Sequence, residues 1–118
     1  MRITKENTIG LIIDIQERLV PAMFEKEVLI KNCSILIEGF TALNIPMLVT
    51  QQYTKGLGET AEEIKALIPD FTFVEKRDFS CCDEPAVIEK LKSQNIKNVI
   101  ICGIESHVCV LQTAVDLK

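Results

Sequence analysis

Aromatic residues and histidine are scarce in this sequence, which has no tryptophan, one tyrosine and one histidine, His107. With a single histidine and no Cys-x-x-Cys pair, a zinc site built from these ligands is not expected. No apolar run approaches the roughly 20 residues that a transmembrane helix needs. Residues 1–7 are polar and lack the apolar core of a signal peptide. These absences predict no zinc site built from Cys and His and no membrane partner, and no motif in the sequence points to a cofactor.

Acidic residues outnumber basic ones in this sequence, 17 to 13. The formal net charge is -4, and the longest basic run, Lys76-Arg77, is flanked by Glu75 and Asp78. A nucleic-acid-binding protein would be expected to present a basic face. The charge pattern therefore predicts no nucleic-acid partner.

The cysteines indicate a reducing environment. There are five, an odd number, at positions that form no regular framework, so we expect reduced thiols in a cytoplasmic protein. Cys33 falls on the apolar face of a predicted helix and Cys102 lies in a predicted strand, which places both in the core. Cys81 and Cys82 follow the third predicted strand, and the sequence leaves open whether they line a pocket or are simply exposed.

The 118 residues are 47% hydrophobic and 25% charged, an ordinary composition for one globular domain over residues 1–118. Short apolar runs alternate with segments in which apolar residues recur every three or four positions, as strands and amphipathic helices do. This alternation predicts a three-layer α/β/α sandwich around a parallel, Rossmann-like sheet. The predicted strands are 8–13, 46–50, 72–75 and 99–102; the predicted helices are 27–43, a short one after an N-cap at Thr60 with Glu63 as its partner, one from 83 or 84 to about 94, and 106–117.

Ligands of parallel sheets bind beyond the carboxyl ends of the strands. Asp14 follows the first predicted strand, Lys76 follows the third, and Cys109 lies six residues after Gly103, which closes the fourth. Each has an ordinary alternative: a capping carboxylate, a surface lysine and a buried helical cysteine. Together they can supply a general base, a cation and a nucleophilic thiol. The cation and the first turn of a helix are both expected to lower the pKa of Cys109.

His107 is two residues from Cys109, and side chains two apart on a helix face different directions. We therefore expect a structural or dimer-contact role for His107 rather than a Cys–His pair.

The segments LIIDIQERL, EKRDFSCC and GIESHVCVLQTAVDL occur in that order across almost the whole chain. Together they resemble the isochorismatase-like cysteine hydrolases, and GIESHVC with QQYTKGLG is most similar to the isochorismatase-domain-containing subgroup. The resemblance implies a triad in which Cys109 is the nucleophile, Asp14 transfers its proton to the leaving group, and Lys76 orients Asp14 and stabilises the thiolate.

The same resemblance implies further site features. A cis peptide bond is expected between Ile104 and Glu105, with the N–H groups of Glu105 and Cys109 facing a developing oxyanion. Gln16, Tyr53 and Phe79 adjoin the matched motifs and are the expected substrate-binding residues.

The sequence departs from two branches of this family. The nicotinamidases bind a metal through an aspartate and histidines after strand two, where this chain has Gln51-Gln52-Tyr53. The isochorismatases that cleave a vinyl ether lack the cysteine. The sequence therefore predicts a metal-independent hydrolase of a small amide or related C–N or ester-like molecule, acting through a cysteine acyl-enzyme.

A catalytically idle α/β protein that acts by association is the alternative hypothesis. Family members usually form dimers or larger assemblies, so we expect a homo-oligomer. They also continue beyond the nucleophile helix with at least one more βα unit, so the resemblance predicts that residues 1–118 lack the C-terminal part of the domain.

Overall fold

The computed structural model describes residues 2–118, which form a four-stranded parallel sheet with strand order β3-β2-β1-β4. Short 3-10 turns occupy Lys5–Asn7, Val20–Ala22 and Cys81–Asp83, and a π-helical turn occupies Ser106–Val110. The strands are β1 (Thr8–Ile13), β2 (Met47–Gln52), β3 (Val74–Lys76) and β4 (Asn98–Gly103); the α-helices are α1 (Lys26–Ala42), α2 (Thr54–Leu57), α3 (Glu62–Lys65), α4 (Pro85–Ser93) and α5 (Leu111–Leu117).

Strand β1 is the centre of the sheet. All six of its residues are buried, because β2 and β4 pair with its two edges and helices cover both faces. The residues of β4 at the sheet edge are only half-buried. A strand buried on both faces explains the continuous apolar run from Ile9 to Ile13.

Two apolar layers enclose the sheet. On one face, Ile9, Leu11 and Ile13 pack with Val87 and Leu91 of α4. On the other face, Ile12 packs with residues of α1 and α3 that include Cys33, Ile37 and Ile64. This arrangement confirms the predicted three-layer α/β/α fold with a parallel sheet.

Thr60 is not the N-cap of the short helix, so this prediction was wrong. Helix α3 begins after Ala61 without a side-chain cap. The N–H and hydroxyl of Thr60 instead donate to Oε1 of Gln51, at 3.0 and 2.9 Å. The Thr60 hydroxyl, which would have capped the helix, is therefore bonded to strand β2 instead. The spacing of residues in the sequence does not reveal this contact.

The last predicted helix divides into two parts. Residues Ser106–Val110 form the π-helical turn, and regular α-helix begins only at Leu111. The predicted helix over 106–117 is therefore present, but its first part is π-helical rather than α-helical. Cys109 lies in the π-helical turn rather than in the first turn of an α-helix.

No helix among residues 2–118 has the length and apolar character needed to cross a bilayer.

Gly103 allows the end of β4 to lie against β1. Its φ angle is +141°, and a Cβ atom placed there would lie 2.1 Å from the carbonyl oxygen of Ile13. That oxygen accepts the N–H of Ile104 at 3.0 Å, so the backbone cannot easily move away. Glycine is therefore required where the strand turns toward the π-helical segment.

We predict that Gly103→Ala lowers the free energy of unfolding by roughly 2–4 kcal/mol, through the unfavourable φ angle and overpacking against backbone. Gly39→Ala is the matched control, because a Cβ at Gly39 in helix α1 would have no atom within 4 Å among residues 2–118, apart from its chain neighbours and the helix backbone. We expect it to be neutral or stabilising by up to about 1 kcal/mol. Urea unfolding of both variants measures the difference, and a loss below about 1 kcal/mol in Gly103→Ala would contradict the steric argument.

Candidate active site

Asp14 provides a buried carboxylate at the carboxyl end of β1. It follows Ile13 directly, has a φ of 52°, and is only 1% exposed. Its Oδ1 accepts a hydrogen bond from the Thr50 hydroxyl at 2.8 Å. Its Oδ2 lies 2.9 Å from the Lys76 ammonium, yet accepts no well-directed hydrogen bond from any group in the described chain.

Lys76 is the last residue of β3 and is 1% exposed. Besides Asp14, its Nζ contacts Oε1 of Gln52 at 2.7 Å and the carbonyl oxygens of Asp78 and Phe79, both at 2.9 Å. An ammonium buried this completely is costly unless its charge is paired and its N–H groups are used. The surrounding acceptors meet both conditions, since the buried ammonium is paired with a carboxylate and its N–H groups have acceptors.

Cys109 completes the group. Its side chain is largely buried, and its Sγ lies 3.5 Å from Nζ of Lys76. The Lys76 ammonium is thus within reach of both the Asp14 carboxylate and the Cys109 sulfur. Asp14, Lys76 and Cys109, which the sequence placed at one edge of the sheet, therefore lie together, with the buried Lys76 cation in contact with both of the others.

The Cys109 thiol is more difficult to ionise than predicted. Its pKa is raised to about 11, first by burial and then by the negative charge of Asp14, and the Lys76 cation offsets only part of this effect. The predicted lowering of the Cys109 pKa was therefore wrong. With this pKa the Cys109 thiol keeps its proton at neutral pH, so it could act as a nucleophile only with a base to remove that proton.

Thr50 and Gln52 are site residues that the sequence analysis missed. Thr50 holds Oδ1 of Asp14, and Gln52 accepts a hydrogen bond from Lys76. Both belong to β2, which lies between the strands that carry Asp14 and Lys76. Polar residues at alternate positions near the end of a buried strand are the signal that could have identified them.

Gln16 is fully buried and holds the backbone beside the site. Its Nε2 donates to the carbonyls of Gln52 and Gly58, both at 2.8 Å, and its Oε1 accepts the Gln52 N–H at 2.7 Å. Both amide N–H groups are therefore used within the protein. This places Gln16 as a positioning residue for the end of β2, while its predicted contact with substrate stays a prediction.

Tyr53 and Phe79 lie at the surface near the ends of β2 and β3. They are 42% and 55% exposed, and the guanidinium of Arg77 lies 4.7 Å from the centre of the Tyr53 ring. The backbone of Phe79 is tied to the site, because its carbonyl accepts from Lys76. Both rings are exposed, and their predicted contact with a substrate stays a prediction.

The peptide bond between Ile104 and Glu105, five residues before Cys109, is cis, as the resemblance predicted. The carbonyl of Glu105 accepts the N–H groups of Val108 and Val110, at 3.1 and 3.2 Å. Across residues 2–118, the N–H of Glu105 itself has no hydrogen-bond acceptor. This N–H is therefore free to bind another group.

The remaining candidates lie outside the triad. His107 is well exposed, and its Nε2 lies 3.8 Å from the Glu105 carboxylate. Cys33 is buried in the core as predicted, whereas Cys102 is only half-buried. Cys81 is completely buried and Cys82 is half-buried, so neither is a fully exposed thiol.

Within the described residues, no cluster of three or more His, Cys, Asp or Glu side chains is arranged to hold a metal ion. A surface groove of about 640 Å³ runs between the start of α1 and the start of α3, but no triad residue lines it. The chemistry of Asp14, Lys76 and Cys109, rather than the size of that groove, identifies the candidate active site.

The family model of the isochorismatase domain matches residues 8–118. Isochorismatase domain-containing protein 2 of Danio rerio is 37% identical to this chain over 98% of it and 58% of its own length. Secreted isochorismatase effector Isc1 of Phytophthora sojae is 33% identical, over 98% of this chain and 57% of its own. The chain thus spans less than two thirds of the length of these relatives.

Solved structures show the same fold. The MAR1 ribonuclease of Caenorhabditis elegans superposes with a TM-score of 0.91 and 38% identity, covering 99% of this chain and 60% of its own. The YcaC gene product of Escherichia coli, described as an octameric hydrolase of unknown specificity, has a TM-score of 0.87 and 24% identity, covering 98% and 59%.

We predict that alkylation of Cys109 by iodoacetamide speeds up as the pH rises toward about 11, where half of the thiol is ionised. Asp14→Asn removes the nearby negative charge, so the pKa of Cys109 should fall. Each unit of lowering gives about tenfold more thiolate, partly offset by weaker nucleophilicity, so we expect alkylation roughly three- to tenfold faster at pH 8.

Asp70→Asn is the matched control, because Asp70 is also an aspartate at positive φ but is exposed. It should leave the Cys109 profile unchanged. Peptide-level mass spectrometry separates Cys109 from the other four cysteines. A wild-type profile that already levels off below pH 9 would contradict the raised pKa.

Proposed function

This chain belongs to the isochorismatase family, and we propose that it carries the catalytic site of a metal-independent hydrolase. The proposed substrate is a small amide or a related C–N or ester-like molecule, and the reaction passes through a cysteine acyl-enzyme. The observation that supports this most directly is the position of the Lys76 ammonium, 2.9 Å from Asp14 and 3.5 Å from Cys109.

In the proposed first step, Sγ of Cys109 attacks the substrate carbonyl carbon while Oδ2 of Asp14 takes the thiol proton. A C–S bond forms and the carbonyl π electrons move to oxygen. The raised pKa of Cys109 supports proton removal during attack rather than a preformed thiolate. The free N–H of Glu105, together with that of Cys109, would stabilise the oxyanion.

The tetrahedral intermediate then expels its leaving group. The C–N or C–O bond breaks, and Asp14 returns the proton to the departing amine or alkoxide. In the second half, Asp14 takes a proton from water as the water attacks the thioester. The second tetrahedral intermediate collapses as the C–S bond breaks, the carbonyl re-forms and the bonding electrons go to sulfur. Asp14 returns its proton to the Cys109 sulfur, and the acid product leaves. Lys76 stays an ammonium throughout and offsets the negative charge that moves between sulfur and carboxylate.

RNA hydrolysis is a second candidate, because the 38% identical Caenorhabditis elegans protein is named a ribonuclease. The net charge of -4 and the lack of a basic run in the sequence favour a small, uncharged substrate instead. The alternative of an idle protein acting by association stays a prediction, as do the homo-oligomer and the cytoplasmic location.

We predict that Cys109→Ala abolishes turnover, lowering kcat by roughly 10³-fold or more, because no covalent intermediate can form. A panel of small primary amides and p-nitrophenyl esters measures hydrolysis, and a quenched fluorescent RNA measures the second candidate. Intact-mass spectrometry should detect an acyl adduct on the wild type and none on the variant. We expect no cleavage of the RNA.

Cys82→Ala is the matched control, because it removes a half-buried thiol outside the triad, and it should keep full activity. Undiminished turnover in Cys109→Ala would exclude Cys109 as the nucleophile. Wild-type cleavage of RNA but of no amide or ester would favour the ribonuclease, and inactivity on every probe would favour the association hypothesis.

A further inference from the structure

A buried series of hydrogen bonds leads away from the triad. The Cys81 thiol lies 3.8 Å from Oγ1 of Thr50, and the Thr50 hydroxyl donates to Oδ1 of Asp14 at 2.8 Å. Cys81 and Thr50 are completely buried, and Asp14 is 1% exposed. We refer to these three side chains as the Cys81–Thr50–Asp14 connection. The triad chemistry as described does not use Cys81 or Thr50 directly.

The direction of the two bonds follows from the protons available. A threonine hydroxyl has one proton, which here goes to the carboxylate, and its lone pairs are left as acceptors. The Cys81 thiol supplies a donor to that oxygen. Burial raises the pKa of Cys81, which keeps its proton on the sulfur at neutral pH.

The connection also reaches the segment that carries the nucleophile. The backbone N–H of Cys81 donates to Oγ1 of Thr113 at 2.9 Å, and Thr113 is fully buried in helix α5. Helix α5 directly follows the π-helical turn that contains Cys109. Hydrogen bonds therefore link the nucleophile's segment, through Cys81 and Thr50, to the opposite side of the Asp14 carboxylate.

We propose that Thr50, supported by Cys81, is a positioning residue that holds Oδ1 of Asp14 and so reserves Oδ2 for proton exchange with Cys109. The two carboxylate oxygens have different surroundings. Among residues 2–118, Oδ1 has a buried hydroxyl donor, whereas Oδ2 has no hydrogen-bond donor and lies in the ion-pair contact with Lys76. A carboxylate free to rotate would present either oxygen to the thiol. This proposal rests on the proposed function, in which Asp14 is the base, and Thr50 and Cys81 would set the orientation of the Asp14 carboxylate.

Thr50→Val tests the proposal because it removes the hydroxyl and keeps the branched shape, whereas Thr50→Ser keeps the hydroxyl. We expect Thr50→Val to lower kcat roughly ten- to hundredfold on whichever p-nitrophenyl ester the wild type hydrolyses, within the range of general base effects. KM should stay within about twofold, and Thr50→Ser should recover kcat to within about threefold of wild type. If Thr50 were needed only for folding, its substitution would not lower kcat of the folded enzyme while leaving KM nearly unchanged.

The second readout needs no turnover. Asp14, Lys76 and Cys81 are the ionisable groups around this part of the site. Without the Thr50 donor, more of the Asp14 charge acts on Cys109, so its alkylation by iodoacetamide should shift to higher pH by roughly half a unit or more. Thr50→Ser should keep the wild-type profile. If the wild type hydrolyses nothing but these profiles differ, the proposed function fails and the positioning role stands.

Cys81→Ala and Cys81→Ser form an independent pair in case Thr50→Val does not fold. Cys81→Ala should lower kcat by roughly three- to tenfold, and Cys81→Ser, which keeps a donor, should retain most of the activity. An unchanged kcat together with an unchanged alkylation profile in Thr50→Val would overturn the proposal. Equal impairment in Thr50→Val and Thr50→Ser would also overturn it.

Discussion

A lysine ammonium buried to 1% exposure is the constraint on which the rest of the structure depends. Removing such a charge from water costs several kcal/mol unless the protein supplies replacement partners. Here the partners come from the end of β1, the end of β2 and the loop after β3. Satisfying one cation therefore brings three separate segments together, and Cys109 joins them through the same ammonium.

Much of this arrangement could be predicted from local patterns in the sequence. The apolar run before Asp14 is continuous because β1 is covered on both faces, and the spacing of apolar residues in α1 follows its contact with the sheet. Once the strands are parallel, their carboxyl ends share one side, so Asp14 and Lys76 had to approach each other. Topology thus predicted that these side chains share one edge of the sheet, whereas their roles as a triad followed from the resemblance to the family and stay a prediction.

The features that escaped prediction depend on distances between segments. Thr50 and Gln52 look like ordinary polar residues until β2 is placed between β1 and β3. Thr60 looks like a helix cap, but its hydroxyl bonds Gln51. The pKa of Cys109 was predicted with the wrong sign. Burial of the thiol and the charge of Asp14 raise it by more than the Lys76 cation lowers it, and neither effect is visible in the spacing of residues along the chain.

The central position of β1 has a consequence for how the molecule acquires its shape. Its partner β4 comes from the opposite end of the chain, and Asn7 and Asn98, which hydrogen-bond beside these strands, are 91 residues apart in sequence. Pairings of such long range close large loops and slow folding. During synthesis, β1 can first pair with β2 but must wait for β4. The Cys109 sulfur can therefore approach Asp14 only after β4 and the segment that follows it have been synthesised.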